Sequence, residues 1–549
     1  MVALKLSCEA WLVIFGGLLA VLLRASTGLH PYSGEATPPM YGDYEAQRHW
    51  MEITTNLDVT EWYHNTSHND LQYWGLDYPP LTAYHMYACG SIAKFLNENY
   101  TKLHDSRGYE SEGHKLFMRY SVLISDVLIF LPAIIIYYWL TVPDDKGKKK
   151  KKEQGIVPLG PSTSIVLALL YPGIILIDHG HFQYNCVSLG LAVLAVTALL
   201  CEKDIIASFL FCLALNYKQM ELYHAPPFFF YLLSTCVPKP GQGTLSGLQK
   251  LSKIAATVIF TFTVIWLPFL FSINDVLQVL HRLFPVARGI FEDKVANIWC
   301  ALNIFYKYRE VENTKMVRAC LTATVSALVP SSVDLFLRPN KKKFVLALIN
   351  SSLAFFLFGY QVHEKSILLA AVPVLLYMPF DPIACFWFLC LTTFSMSPLL
   401  LKDRLTLAAF ALKIFFMVSF KVSADHVQPQ FSWAGYYRNL LRTLLNVEYN
   451  KTNAFNVITV TYDHFKKNSE AVIALALHVI MSISLTGGTL LSIASLILKP
   501  SERYPDLYPL LTSIYCAVHF VGFFVYFNIK QLNIPQQDED VKNVKFDSS

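Results

Sequence analysis

Two compact polar clusters in this chain combine carboxylates with aromatic rings. The first is Pro38-Pro39-Met40-Tyr41-Gly42-Asp43-Tyr44-Glu45-Ala46-Gln47-Arg48-His49-Trp50 and the second is Leu71-Gln72-Tyr73-Trp74-Gly75-Leu76-Asp77-Tyr78-Pro79-Pro80. Carboxylates and amides bond hydroxyl groups while rings cover apolar faces, so the mixture suits a sugar site. A carboxylate at the edge of a membrane can also act as a general base. Each acid has a competing structural reading: Asp43 caps a helix that begins at Tyr44, and Asp77 starts a turn into Pro79-Pro80.

Three later runs carry the other candidates. His179-Gly180-His181-Phe182-Gln183 sits between two apolar runs and reads as a hydrogen-bonding lid over a polar ligand. His-x-His also invites a metal, but no further ligand stands at suitable spacing nearby, so neither a metal nor another cofactor is expected. Arg282 and Arg288 fall in a loop on the side of the membrane that ordinarily carries few basic residues, and guanidinium groups suit an anionic phosphate. Gln361-Val362-His363-Glu364-Lys365 is a tight charged turn between apolar runs, which is costly unless its groups find partners, so His363 and Lys365 are candidates for phosphate or sugar.

The elements that position these residues are membrane spans. Of the 549 residues, 54% are hydrophobic and only 15% charged, against roughly 25% charged in soluble domains. Apolar runs recur at lengths that cross a bilayer, and their number predicts an all-α polytopic membrane protein with about 14 transmembrane helices. The net charge of +5 comes from short basic connections between spans, which set topology and are no nucleic-acid signature. The 11 cysteines show no metal-like spacing and read mostly as small core hydrophobes. The first apolar run, about Trp11 to Leu23 with Arg24 close behind, reads as an uncleaved signal anchor, because Arg24 would spoil a cleavage site. The expected organisation is a tail and first helix over 1–28, a polar loop over 29–115, helices two to seven over 116–272, a second loop over 273–315, helices eight to fourteen over 316–527, and a tail over 528–549. A transporter would place polar groups at mid-membrane on broken helices in two related halves. No such halves are visible here, which favours an enzyme.

The two clusters, the Asp178–Asn185 and Gln361–Lys365 runs, and Arg288-Gly289-Ile290-Phe291-Glu292-Asp293-Lys294-Val295-Ala296-Asn297 resemble, in this order along the chain, the dolichyl-phosphate-glucose-dependent glucosyltransferases of the endoplasmic reticulum. The resemblance extends from about residue 24 to residue 367, with a weaker echo at Tyr504-Pro505-Asp506-Leu507. It implies a multi-pass GT-C fold in the endoplasmic reticulum membrane, with a helical first loop and an active site facing the lumen. The implied donor is dolichyl phosphate glucose and the implied acceptor is dolichol-linked Man9GlcNAc2. Of the two sister activities in the family, addition of the first, α-1,3-linked glucose fits better than addition of the second. The resemblance implies inversion, hence a single displacement with a general base, and favours Asp43 for that role, because GT-C enzymes carry an acidic base close after the first span. Glu45, Arg48, Asp77, Tyr78, His179, His181, Gln183, Arg282, Arg288, His363 and Lys365 are then expected to bind substrate.

This topology is directly testable. New glycosylation sequons beside Asn65 and Arg288 should be modified, and one beside Lys150 should not. Modification beside Lys150 would reverse the placement of the whole polar constellation.

Overall fold

The computed structural model describes residues 7–142, 159–238, 244–284, 294–427 and 469–535. Arg288, the Lys146–Lys152 run and the sequon at Asn450 lie outside the described residues. Among those described, every regular element is a helix. Eight helices are long and apolar enough to cross a membrane: Cys8–Thr27, Glu112–Thr141, Pro161–Phe182, Thr244–Phe269, Asn313–Leu337, Thr406–Ser423, Leu477–Ile497 and Leu507–Leu532. Shorter apolar helices, Asn185–Leu200, Asp204–Tyr217 and Pro382–Ser395, lie between them along the chain. The chain is a multi-pass membrane protein.

Helices that are apolar on all sides belong in the interior of such a bundle. Leu368–Tyr377 is of this kind and is buried throughout, and Lys341–Phe358, which also carries Asn350, Ser351 and Ser352, is buried along almost its whole length. Cys8–Thr27 instead turns an apolar stripe outward, with Phe15, Leu18 and Leu22 all exposed. Polar groups gather in two layers at the ends of the helices. One layer includes Gln183, Lys218, Lys365 and Asp403 around a cavity. The other is reached by following the helices away from that cavity, and holds Lys341 against Glu202 at 2.9 Å and Lys343 against Asp334 at 3.0 Å.

Arg24 follows the first apolar run and lies inside the first helix. The helix continues to Thr27, and Arg24 is 1% exposed. Its Nε donates to Asp126 Oδ2 at 2.6 Å, and its guanidinium also donates to the Leu169 carbonyl at 2.8 Å. Asp126 Oδ2 is shared with His179 Nε2, 2.7 Å away. Both partners lie on π-helical turns, Asp126–Phe130 and Ile175–Phe182. The extra residue in a π-turn shifts side-chain direction and often marks functional sites. The histidine run is therefore the buried end of a helix and not a lid: all of Ile175–Phe182 is buried.

The segment between the first two spans folds on itself. Helix Asp43–Asn56 is buried from Tyr44 to Thr54 and packs on helix Pro80–Leu96. Their approach depends on Gly90, where a Cβ would lie 2.3 Å from Thr55 Oγ1 and 2.8 Å from the Met51 carbonyl. The first helix starts at a similarly close crossing. Gly34, at φ +77°, would place a Cβ 1.9 Å from the backbone nitrogen of Gly42, immediately before Asp43. Three side chains tie the clusters together: Trp50 Nε1 donates to the Trp74 carbonyl at 2.8 Å, Tyr73 Oη donates to Glu45 Oε1 at 2.7 Å, and Trp74 Nε1 donates to the Met40 carbonyl.

Removing one partner of a buried ion pair leaves an uncompensated charge, which costs about 3–5 kcal/mol. Arg24→Met should lower unfolding stability in detergent by about that amount, and adding Asp126→Asn should recover more than half of the loss.

Candidate active site

The cavity has a volume of about 950 Å³, and segments distant in sequence converge on it. Asp43, in the first turn of its helix and 21% exposed, lies in its wall. Its Oδ2 accepts three donors: His181 Nε2 at 2.9 Å, Gln183 Nε2 and Lys365 Nζ. Among the described residues none donates to Oδ1. Lys365 Nζ is also 3.1 Å from His181 Nε2, and the opposite nitrogen of that ring, Nδ1, is 2.5 Å from Asp403 Oδ2.

Charge follows this geometry. Burial works against ionisation of Asp43, but the Lys365 ammonium and the His181 ring outweigh it and hold the carboxyl well below the usual carboxylate range. Burial likewise works against the Lys365 ammonium, and Asp43 reverses the balance, so its pKa is raised. Lys218 is the contrasting case. Burial, followed by repulsion from Lys365, lowers it to about 8. Its ammonium donates to Asn185 Oδ1 at 2.6 Å and sits 5.0 Å from the centre of the Tyr78 ring.

The other residues expected at the site divide into two groups. Asp77, Tyr78, Arg282 and His363 line the cavity together with Asp43, His181, Gln183 and Lys365. Arg282 is also committed to the backbone, donating to the Leu76 carbonyl at 3.1 Å and the Gly75 carbonyl at 2.8 Å. It holds the second cluster in place. The Asp77 carbonyl accepts from Gln219 Nε2 at 2.9 Å.

Glu45, Arg48 and His179, also expected to bind substrate, do not line the cavity. Glu45, Arg48 and Glu52 are spaced three and four apart, which puts them on one helical face. Arg48 is completely buried there, bonding Glu45 twice at 2.7 Å, Glu52 at 2.7 Å and Ser106 Oγ at 2.6 Å. The charge cluster is internally satisfied and fixes the helix. His179 faces Arg24 and Asp126 in the interior, while His181, two residues on, faces the cavity.

Lys218, Gln219 and Asp403 line the cavity and were not singled out from the sequence. The signal was present: Lys402-Asp403-Arg404 is a charged turn between apolar runs, as Gln361–Lys365 is. Trp50 and Trp74 add flat apolar surface to the wall.

The chain matches the sequence model of the ALG6, ALG8 glycosyltransferase family over residues 13–527. It belongs to that family. A Gallus gallus relative is 44% identical over 526 residues, covering 95% of this chain and 97% of the relative, and is named dolichyl pyrophosphate Man9GlcNAc2 alpha-1,3-glucosyltransferase. A Rattus norvegicus protein of the same name is 44% identical, with 93% of this chain and 95% of the relative covered. A Drosophila melanogaster protein, named as probably having that activity, is 43% identical with 95% and 98% covered. Membership in this family makes the chain a glycosyltransferase.

Arg48→Lys separates a structural role from a binding one. It keeps the charge but loses the paired bonds to Glu45, and should lower the unfolding midpoint while leaving KM for both substrates within about twofold. A raised KM at unchanged stability would return Arg48 to the binding site.

Proposed function

We propose that this protein transfers the first, α-1,3-linked glucose from dolichyl phosphate glucose to dolichol-linked Man9GlcNAc2 at the lumenal face of the endoplasmic reticulum membrane. In this reading the bundle is a GT-C fold, with the apolar helices shorter than the eight long ones also crossing the bilayer, about 14 crossings in all. The observation that carries the reading is the Asp43 carboxylate in the wall of a large cavity, with one oxygen bonded by three donors and the other taking none among the described residues. The names of the family relatives supply the acceptor and linkage.

The donor glucose is β-linked and the product linkage is α, so the chemistry is one in-line displacement. The 3-hydroxyl oxygen of the acceptor mannose attacks the anomeric carbon. The bond from that carbon to the phosphate oxygen breaks, and its electron pair leaves with dolichyl phosphate. The hydroxyl proton passes to Asp43 Oδ1, which acts as general base. Because the leaving phosphate gains a negative charge, preorganised cations lower the barrier. Lys365 and Lys218 are the lysines for this role, with His363 beside Lys365 on the same wall. Trp50, Trp74 and Tyr78 offer rings to the apolar faces of the sugars. Asp77 binds sugar hydroxyls or shapes the loop.

Purified protein incubated with dolichyl phosphate glucose and the nine-mannose lipid acceptor should yield a product heavier by one hexose. Asp43→Asn should reduce turnover on the order of a hundredfold or more while both lipids still bind. Near-normal turnover in Asp43→Asn, with Asp77→Asn inactive, would transfer the base assignment to Asp77.

A further inference from the structure

Asp403 lies in the short turn between helices Ser397–Lys402 and Thr406–Val427. Its neighbours Lys402 and Arg404 are exposed, whereas Asp403 is 5% exposed. Burying a carboxylate is unfavourable unless a charged or hydrogen-bonded partner compensates. Asp403 turns away from both adjacent cations and meets His181 Nδ1 at 2.5 Å. The turn is shaped for this contact: Arg404 takes φ +60°, and Leu405 N closes the turn on the Leu400 carbonyl at 2.8 Å.

The geometry points to Asp403 as a positioning residue that acts on the base through His181. This rests on the assignment of Asp43 as general base. With carboxylate oxygens at both ring nitrogens, 2.5 and 2.9 Å away, the ring carries a hydrogen on each nitrogen and is a cation. Its Nε2–H then joins Gln183 and Lys365 in donating to Asp43 Oδ2. Three donors on one oxygen fix the plane of the carboxylate and leave Oδ1 as the atom that receives the proton. Without the Asp403 charge, the ring keeps a single hydrogen, and a bare Nε2 lone pair can face Asp43 Oδ2. That contact is repulsive, and the carboxylate loses its orientation.

The charged groups around His181 come from four directions. They are Asp43 from its helix, Asp403 from its turn, Lys365 from the turn before Leu368–Tyr377, and Arg119 from helix Glu112–Thr141. Arg119 donates to the Gly180 carbonyl at 2.9 Å, beside the ring. Both cations oppose a third positive charge, and the two carboxylates favour it. Removing Asp403 tips this balance.

The test measures kcat and KM between pH 6 and pH 9 with the full-length protein, dolichyl phosphate glucose and the lipid-linked acceptor. Loss of the second ring proton sets one alkaline limb in kcat, and loss of the Lys218 proton, at about 8, sets another. The ring's limb is therefore read in a Lys218→Arg background, whose guanidinium does not titrate in this range. Asp403→Asn should move that limb to lower pH by about one unit or more, reduce kcat at pH 7.5, and leave KM for both lipids within about twofold. Asp403→Glu, which keeps the charge, should return the limb toward its original position. An unmoved limb in a folded Asp403→Asn protein, or a raised KM with the limb unmoved, overturns the proposal. If Asp403→Asn does not fold, His181→Gln serves: it keeps an amide donor toward Asp43 without a titrating ring, so the limb should vanish, and its persistence overturns the proposal. Asp43→Asn run in parallel separates the two assignments. Near-normal turnover there removes the base, whereas an inactive Asp43→Asn beside an Asp403→Asn protein with an unmoved limb removes only the positioning role.

Discussion

The carboxylate of Asp43 is the point at which four distant stretches of the chain meet. The helix that starts there, the end of the Pro161–Phe182 helix with His181 and Gln183, the turn before Leu368–Tyr377 and, through His181, the turn after Ser397–Lys402 all contribute to the cluster. Buried charge of this density is stable only when cations and carboxylates alternate. The order Lys365, Asp43, His181, Asp403 does so. Each member depends on the next for its charge state, so displacement of any one element would be felt at Asp43.

Beneath this cluster, other buried ionic groups hold the elements rigid. Arg24, Asp126 and His179 join the first span to the two π-turns. Arg48, Glu45 and Glu52 secure the first loop helix from its other side. Buried ion pairs are weak sources of net stability, because desolvation offsets much of their attraction. Their value here is directional. Each pairing fixes one rotation of one helix, and those rotations determine which side chains reach the cavity.

Much of this was legible in the sequence, for identifiable reasons. Apolar runs of spanning length marked the bundle, because a bilayer leaves few alternatives to a helix. The two clusters that hold Asp43 and Asp77 stood out because carboxylates and tryptophans together are unusual between spans. Glu45 and Arg48 misled for the same reason: a charged side chain in a promising cluster can equally be satisfied by its own helix. Their i, i+3, i+4 spacing with Glu52 carried the warning. His179 and His181 could not be told apart, since an alternating pair implies opposite faces only once the local helix is known, and that helix is a π-turn. Lys218 is a single charge in a short turn, and its importance arises only from what the fold places opposite it. Asp403 stands in a charged turn, but only the fold shows which of Lys402, Asp403 and Arg404 faces inward.

The account's central claim is that Asp43 Oδ1 receives the acceptor proton. The most direct measurement is a structure of the protein with the lipid-linked acceptor and an unreactive donor analogue bound together. The 3-hydroxyl of the acceptor mannose should lie within hydrogen-bond reach of Asp43 Oδ1, about 2.6–3.2 Å, with Lys365 still on Oδ2. A hydroxyl bonded instead to Asp77, with Asp43 out of reach of any acceptor oxygen, would contradict it.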